Sequence, residues 1–164
     1  MAQGLEQFSK GLTGVGGGKV EVVGFEKLGE AIPEVSGWKR GVVTGKTTSI
    51  PFPISQAEAS YENGESRVDV EIMDTALNQM LIAPFSMYLV QNYSERSSDG
   101  YKKGTTVKGE PAFEEVSDGG KTANLTVVVG KRFIVKASGR RVSGIEPARA
   151  VIEKIDFGKL TAAK

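Results

Sequence analysis

Acidic side chains come closest to chemistry in this 164-residue chain, which contains no histidine and no cysteine. That absence removes the commonest general base, the commonest metal ligand, thiol nucleophiles, disulfides and iron–sulfur ligation. Carboxylate, Lys, Tyr and Ser remain for acid–base work, as in carboxylate-pair glycosidases or Ser-Lys hydrolases. No Ser stands in a G-x-S-x-G elbow. Glu114 and Glu115 are adjacent on a strand, so they point to opposite faces and form a facing pair only if another strand contributes. Glu58, Asp69 and Glu71 are better placed. A two-residue loop at Asn63-Gly64 sets Glu58 opposite Asp69 and Gln56 opposite Glu71. Like charges across a strand pair cost a few tenths of a kcal/mol to about 1 kcal/mol, so a compensating group is expected. Either Arg67 on the diagonal or a lysine on a neighbouring strand supplies it, or an oxygen-ligated cation such as calcium is held by Glu58, Asp69 and Glu71. Calcium asks for further oxygen ligands that the spacing does not supply, which favours the first alternative.

Three stretches imitate phosphate loops. Gly41-Val42-Val43-Thr44-Gly45-Lys46-Thr47 ends as a Walker A motif does, but it has three residues between its glycines where four are needed. Thr48, Ser49 and two prolines follow instead of a helix, so no helix N-terminus can receive a phosphate. Gly14 to Lys19 reads as linker and Gly130-Lys131 as a hairpin turn. With 21 basic and 20 acidic residues the net charge is +1, which provides no electrostatic footprint for nucleic acid. Trp38, Tyr61, Tyr93 and Tyr101 read mainly as core. No cofactor is indicated, and the expectation is a protein without catalytic activity.

The elements that must position these residues follow from periodicity. Residues 1–18 read as a flexible N-terminal segment ending in Gly14-Val15-Gly16-Gly17-Gly18, and residues 19–164 as one α+β domain. Phe25, Leu28 and Ile32 share a helical face that Pro33 closes, and Arg40 to Thr47 reads as a strand. In the Asn63-Gly64 hairpin, Tyr61 meets Ser66, Ala59 meets Val68 and Ala57 meets Val70, so apolar residues share one face. A helix is expected from Ala76 to Val90, capped by Asp74 or Thr75 and interrupted by Pro84. Strands are expected at Tyr101 to Val107, Pro111 to Val116, Ala123 to Val129 and Arg132 to Ala137, the last two joined by a two-residue loop at Gly130-Lys131. Both faces of that last hairpin are largely apolar, which predicts cover on both sides. Ala148, Val151, Ile152 and Ile155 mark a C-terminal amphipathic helix, with Ser143 and Glu146 as a capping box.

The helix at Ala76 to Val90 is apolar over more than one stripe. Either Pro84 splits it into two buried pieces, or Met80, Ile82, Phe85, Met87 and Leu89 make a second contact, with a homodimer, another protein partner or a small apolar ligand. No stretch has the length and apolarity of a membrane span or a signal peptide. The chain therefore reads as soluble and uncleaved, and as cytoplasmic unless a leader is missing ahead of Met1.

The residues resemble a group of exported, uncharacterised bacterial proteins. The likeness rests on Leu28 and Pro33, Gly37-Trp38-x-Arg40, Ser55-x-Ala57-x-Ala59-x-Tyr61, Ile72-x-Asp74, Gly100-Tyr101, Gly109-x-Pro111-Ala112-x-Glu114-Glu115, Arg132-Phe133-x-Val135 and Ile155-Asp156. It implies a periplasmic or secreted setting. The order of elements is also similar to the PsbP-like fold, an antiparallel sheet of six or seven strands covered by helices, which serves in binding and assembly. A binding or assembly module is the function this implies, with a carboxylate-based hydrolase or a cation-binding protein as the alternatives.

Overall fold

The computed structural model describes residues 20–87 and 92–163. The expected segment 1–18, and Leu89 and Val90 of the expected long helix, lie outside them. In chain order the elements are α1 (Phe25–Glu30), β1 (Lys39–Arg40), β2 (Thr44–Thr48), β3 (Ile54–Asn63), β4 (Ser66–Asp74), α2 (Gln79–Ser86), β5 (Ser94–Arg96), β6 (Tyr101–Val107), β7 (Glu110–Ser117), β8 (Thr122–Val129), β9 (Phe133–Arg140), α3 (Glu146–Lys154) and α4 (Phe157–Ala162). The fold is α+β. All the strands join one antiparallel sheet of nine, in the order β1-β3-β4-β9-β8-β7-β6-β5, with β2 continuing β1 along the outer edge of β3. Six or seven strands were expected. The additional ones arise because Gly41 to Val43 divide the first expected strand into β1 and β2, and because Ser94 to Arg96 pair with β6 instead of forming a loop.

Alternation sorts the sheet into two faces. Ala57, Tyr61, Val68, Ile72, Val135, Val127, Leu125 and Ala123 point to the inner face, where Leu28 of α1, Val151 and Ile152 of α3, and Phe157 and Leu160 of α4 complete one core. The expected 3.6-residue stripe of α3 is present. Its capping box is not: Ile145 occupies the N-cap position without a side-chain bond, and Pro147 lies in the first turn. On the outer face Met73, Val128 and Ile134 form an apolar patch, which Ile82 and Phe85 of α2 cover, and Phe113 of β7 is buried farther along, with the Tyr93 ring edge-on to it at 6.3 Å. The β8–β9 hairpin is thus central and covered on both sides, with α2 lying over Val128 and Ile134 on the outer one.

Two hairpin registers differ from expectation. The first loop is Gly64-Glu65, with Asn63 paired to Ser66. Gly64 has φ of 58° and Glu65 is not among the positive-φ residues, so the glycine takes the first central position of a primed turn. Pairing therefore slides by two residues, which preserves the faces and sets Glu58 against Glu71 and Ser60 against Asp69. The last hairpin has a three-residue loop, Gly130 to Arg132, with Val129 paired to Phe133. Gly130 and Lys131 both have positive φ, and the extra residue frees Arg132 from the ladder.

The expected long helix is shortened for a related reason. Asp74 and Thr75 do not cap it, because both are engaged with Arg132. The Arg132 guanidinium donates to both Asp74 carboxylate oxygens at 2.8 Å, and the Thr75 hydroxyl donates to the Arg132 carbonyl at 2.6 Å. Ala76 and Leu77 are left-handed, at φ 50° and 64°, and Asn78 caps the helix by accepting from the Met80 N–H. Pro84 lies inside α2, which continues only to Ser86.

Asp74 also accepts from the Val23 N–H at 2.7 Å, and Arg132 donates to the Glu21 carbonyl, so one buried ion pair ties the entering chain to the ends of β4 and β9. Asp74 holds the Arg132 guanidinium above its ordinary pKa, and it stays charged at any working pH. Breaking such a pair leaves a buried charge and costs about 3–5 kcal/mol. Asp74→Asn is expected to lose that much unfolding free energy in urea; a loss below about 1 kcal/mol would contradict this role.

Candidate functional site: a polar groove on the open sheet face

Register places the outer-face side chains in rows across the strands. One row runs Thr44, Glu58, Glu71, Lys136 and Thr126, and the next runs Ser60, Asp69, Ser138 and Asn124. A third holds Glu62, Arg67 and Arg140. Among the described residues no helix packs on these rows from Thr44 to Lys136, whereas Thr126 at the β8 end of the first row is buried. Thr44, Glu58, Ser60, Arg67, Asp69, Glu71, Lys136 and Ser138, with Val42 at one rim, line an open groove of about 390 Å3.

The three expected carboxylates all reach this groove, with different surroundings. Asp69 accepts from the Ser60 hydroxyl at 2.6 Å, from Arg67 at 2.8 Å and from Arg140 at 2.5 Å. Partial burial pushes its carboxyl up, but the hydrogen bonds from Ser60, Arg67 and Arg140 outweigh that and hold it below the usual aspartate range. Arg67 on the same strand, expected as the compensating cation, does compensate it. Arg140 of β9 adds a second guanidinium that the sequence reading did not assign.

Glu58 and Glu71 face one another directly across β3 and β4. Glu58 accepts only a 3.3 Å bond from the Thr44 hydroxyl, and among the described residues no ion pair reaches Glu58, Glu71 or Lys136. With Asp69 committed to arginines, no group of three or more carboxylates among the described residues is arranged to hold a metal ion.

A buried carboxylate with basic partners lies on the inner face. Glu114, buried on β7, accepts from the Tyr101 hydroxyl at 3.0 Å and from Arg149 of α3 at 2.8 Å, with Lys103 at 3.2 Å. Burial, with the Glu114 charge, pushes the Tyr101 phenol up to about 12. The alternation of β7 sends exposed-side Glu115 to the other face, as adjacent strand residues require. Asp74 and Glu114 are separated by β9 and β8, three strand spacings, and by four residues along the strands, so they lie more than about 14 Å apart, beyond the reach of a paired-carboxylate mechanism.

Of the residues expected on the long helix, Ile82 and Phe85 pack on the sheet, while Met80 and Met87 are exposed. Leu89 is not among the described residues. The phosphate-loop imitation is an edge strand whose Gly45 serves packing: a Cβ there would meet the Gln56 carbonyl and lie 2.8 Å from the Phe25 ring. Arg40 donates to the Ile32 carbonyl, Tyr61 donates to the Pro33 carbonyl at 2.6 Å, Asp74 holds Arg132, and Tyr101 bonds Glu114.

No protein-family model, no curated protein and no solved structure matches the chain.

The groove makes one pH prediction. Because the folded state lowers the pKa of Asp69, its contribution is present above the unfolded value of about 3.9 and is lost as pH falls through the folded value. Between about pH 5 and pH 2 the melting temperature of the native sequence should fall further than that of Asp69→Asn. Equal falls would show that Asp69 ionisation contributes nothing.

Proposed function

We propose that the chain is a non-catalytic binding or assembly module whose open sheet face accepts a cationic group of its partner. The observation that carries this is the Glu58–Glu71 pair: two carboxylates directly opposed in an exposed groove, with no ion pair from the described residues. Opposed like charges are unfavourable by a few tenths of a kcal/mol to about 1 kcal/mol, and an ammonium or guanidinium arriving from outside relieves that cost. Thr44, Ser60 and Ser138 add hydroxyls around it. The absence of His and Cys and the engagement of both fully buried carboxylates, Asp74 and Glu114, with guanidinium groups support a binding role over a catalytic one. A PsbP-like assembly role in an exported protein is the finer form of this proposal. Its support is the helical layer of α1, α3 and α4 on one face, with α2 partly covering the other.

A carboxylate-based hydrolase is favoured by one feature, the proximity of Glu58 and Glu71 on different strands. Against it, the two side chains rise side by side from one sheet face, where glycosidase carboxyls flank the scissile bond from opposite sides. Turnover of chromogenic glycosides that disappears in Glu58→Gln and Glu71→Gln would establish the enzyme and overturn the binding module. A cation-binding protein predicts a higher melting temperature in millimolar calcium, and the binding module predicts no shift.

The direct test is charge reversal. Glu58→Lys should raise the stability of the free protein by up to about 1 kcal/mol and weaken its binding of a short oligolysine peptide in titration calorimetry. A destabilised variant, or unchanged peptide affinity, would count against the proposal.

A further inference from the structure

β2 lies at the outer edge of the sheet, five residues long and exposed over most of its length. The Ser60 carbonyl accepts from the Gly41 N–H, so Ser60 turns its backbone groups toward this edge, and by alternation Glu58 and Gln56 do the same. Their partners Thr44 and Lys46 therefore bond inward, and Gly45 and Thr47 turn their N–H and C=O groups outward. Among the described residues no strand pairs with that side of β2 and no other backbone group bonds to it. Unpaired edge groups of this kind are a template for another strand.

The side chains along the edge show which strand fits. Lys46 is exposed and takes part in no ion pair among the described residues. It shares the outer face with Thr44, whose row continues into the uncompensated Glu58 and Glu71. Val42 (85% exposed) and Ile50 (84%), the most exposed large apolar side chains among the described residues, stand beyond the two ends of β2. On the inner face Gly45 leaves the space of a Cβ to the half-buried Phe25 ring.

We propose that β2 pairs antiparallel with β2 of a second copy, Gly45 opposite Gly45, and that Lys46 of each copy is the cation received by the Glu58–Glu71 pair of the other. The dimer rests on the reading of that pair given above and names its partner. A two-fold axis permits only a few registers, and the charges select among them. Lys46 opposite Lys46 sets like charges together, and Thr44 opposite Thr44 joins the two acidic rows. Thr47 opposite Thr47 sets Lys46 against Thr48, in a row without a carboxylate. Gly45 opposite Gly45 lets the outward groups bond across the axis and sets Lys46 against Thr44, where it extends the row of Glu58 and Glu71. A lysine there starts two strand spacings, about 10 Å, from Glu58, and its flexible four-carbon stem spans the gap over Thr44. The same register brings Val42 of one copy against Thr48 of the other, next to Ile50. A ladder of about five residues gives a reversible dimer, not an obligate one.

The test is sedimentation equilibrium of the full chain at concentrations from about 10 μM to about 1 mM, in low and high salt. The expected result is a dimer that forms as concentration rises and weakens with salt. Lys46→Glu and Glu58→Lys should each weaken it about fivefold or more, and the double variant, which exchanges the two charges, should return to within about twofold of the native chain. Both positions are exposed, so each variant should keep the native circular dichroism spectrum. The Gly45 and Thr47 amides should exchange with deuterium more slowly as native concentration rises, and should not do so in Lys46→Glu. A chain that stays monomeric at the highest concentration, a dimer indifferent to both single substitutions, or a double variant no tighter than the singles would overturn the proposal. A dimer that Met80→Asp dissociates and Lys46→Glu does not would assign the contact to the α2 end and also overturn it. A monomer that still binds oligolysine would overturn the dimer and leave the reading of Glu58 and Glu71 standing, so the two fail separately.

Discussion

The Asp74–Arg132 ion pair is the interaction on which the rest of the arrangement depends. Its two side chains are almost fully buried, and they receive or donate hydrogen bonds from Val23, Ala76 and Glu21 as well as from each other. A pair of this kind is costly to desolvate, so its contribution is mainly positional. It fixes where the chain enters beneath the sheet and how β4 ends. It also accounts for the three-residue turn between β8 and β9, since a two-residue turn would return Arg132 to the ladder. With Asp74 and Thr75 taken, the helix that follows begins at Gln79 under the Asn78 cap and covers only the end of the outer face.

That limited cover gives the sheet its asymmetry. On the inner face three helices and the alternating residues of β3, β4, β7, β8 and β9 exclude water, and the buried Glu114 carboxylate is met by Tyr101, Lys103 and Arg149. On the outer face the polar rows stay open over β3, β4 and β9, while Thr126 and Phe113 farther along are buried. Within them charge is unevenly balanced: Asp69 has two guanidinium partners, while the neighbouring Glu58 and Glu71 have none among the described residues. Lys136 is the register partner of Glu71 but forms no ion pair with it. The groove is therefore separate from the exposed apolar tips at Ile50, Met80 and Met87.

Much of this architecture is legible in residue order. The alternation of β3 and β4 assigned their faces correctly even though the turn was displaced, because a slide of two residues leaves a period-two pattern unchanged. The last hairpin was less readable for the same reason in reverse: both faces are apolar, so a shift of one residue carries no visible penalty, and only the left-handed Gly130 and Lys131 reveal the third loop residue. The α2 boundary was hidden because Asp74 is a good cap in isolation. The signal available was a lone Asp at the end of an apolar strand and an Arg in a turn, types that are rarely buried unless paired. The acidic residues of the groove were identified from sequence, whereas their division into a compensated Asp69 and an uncompensated Glu58–Glu71 pair required the two-residue slide and the position of Arg140 on β9.

A double-mutant cycle between Glu58 and Glu71 addresses the central claim most directly. Unfolding free energies of the native chain, Glu58→Gln, Glu71→Gln and the double variant isolate the coupling between the two side chains. An uncompensated pair predicts a repulsive coupling, with each single substitution stabilising the protein by a few tenths of a kcal/mol to about 1 kcal/mol and the second adding less than the first. A coupling of zero, or a favourable one in which each single substitution destabilises, would show that the groove already satisfies its own charges and would contradict the account.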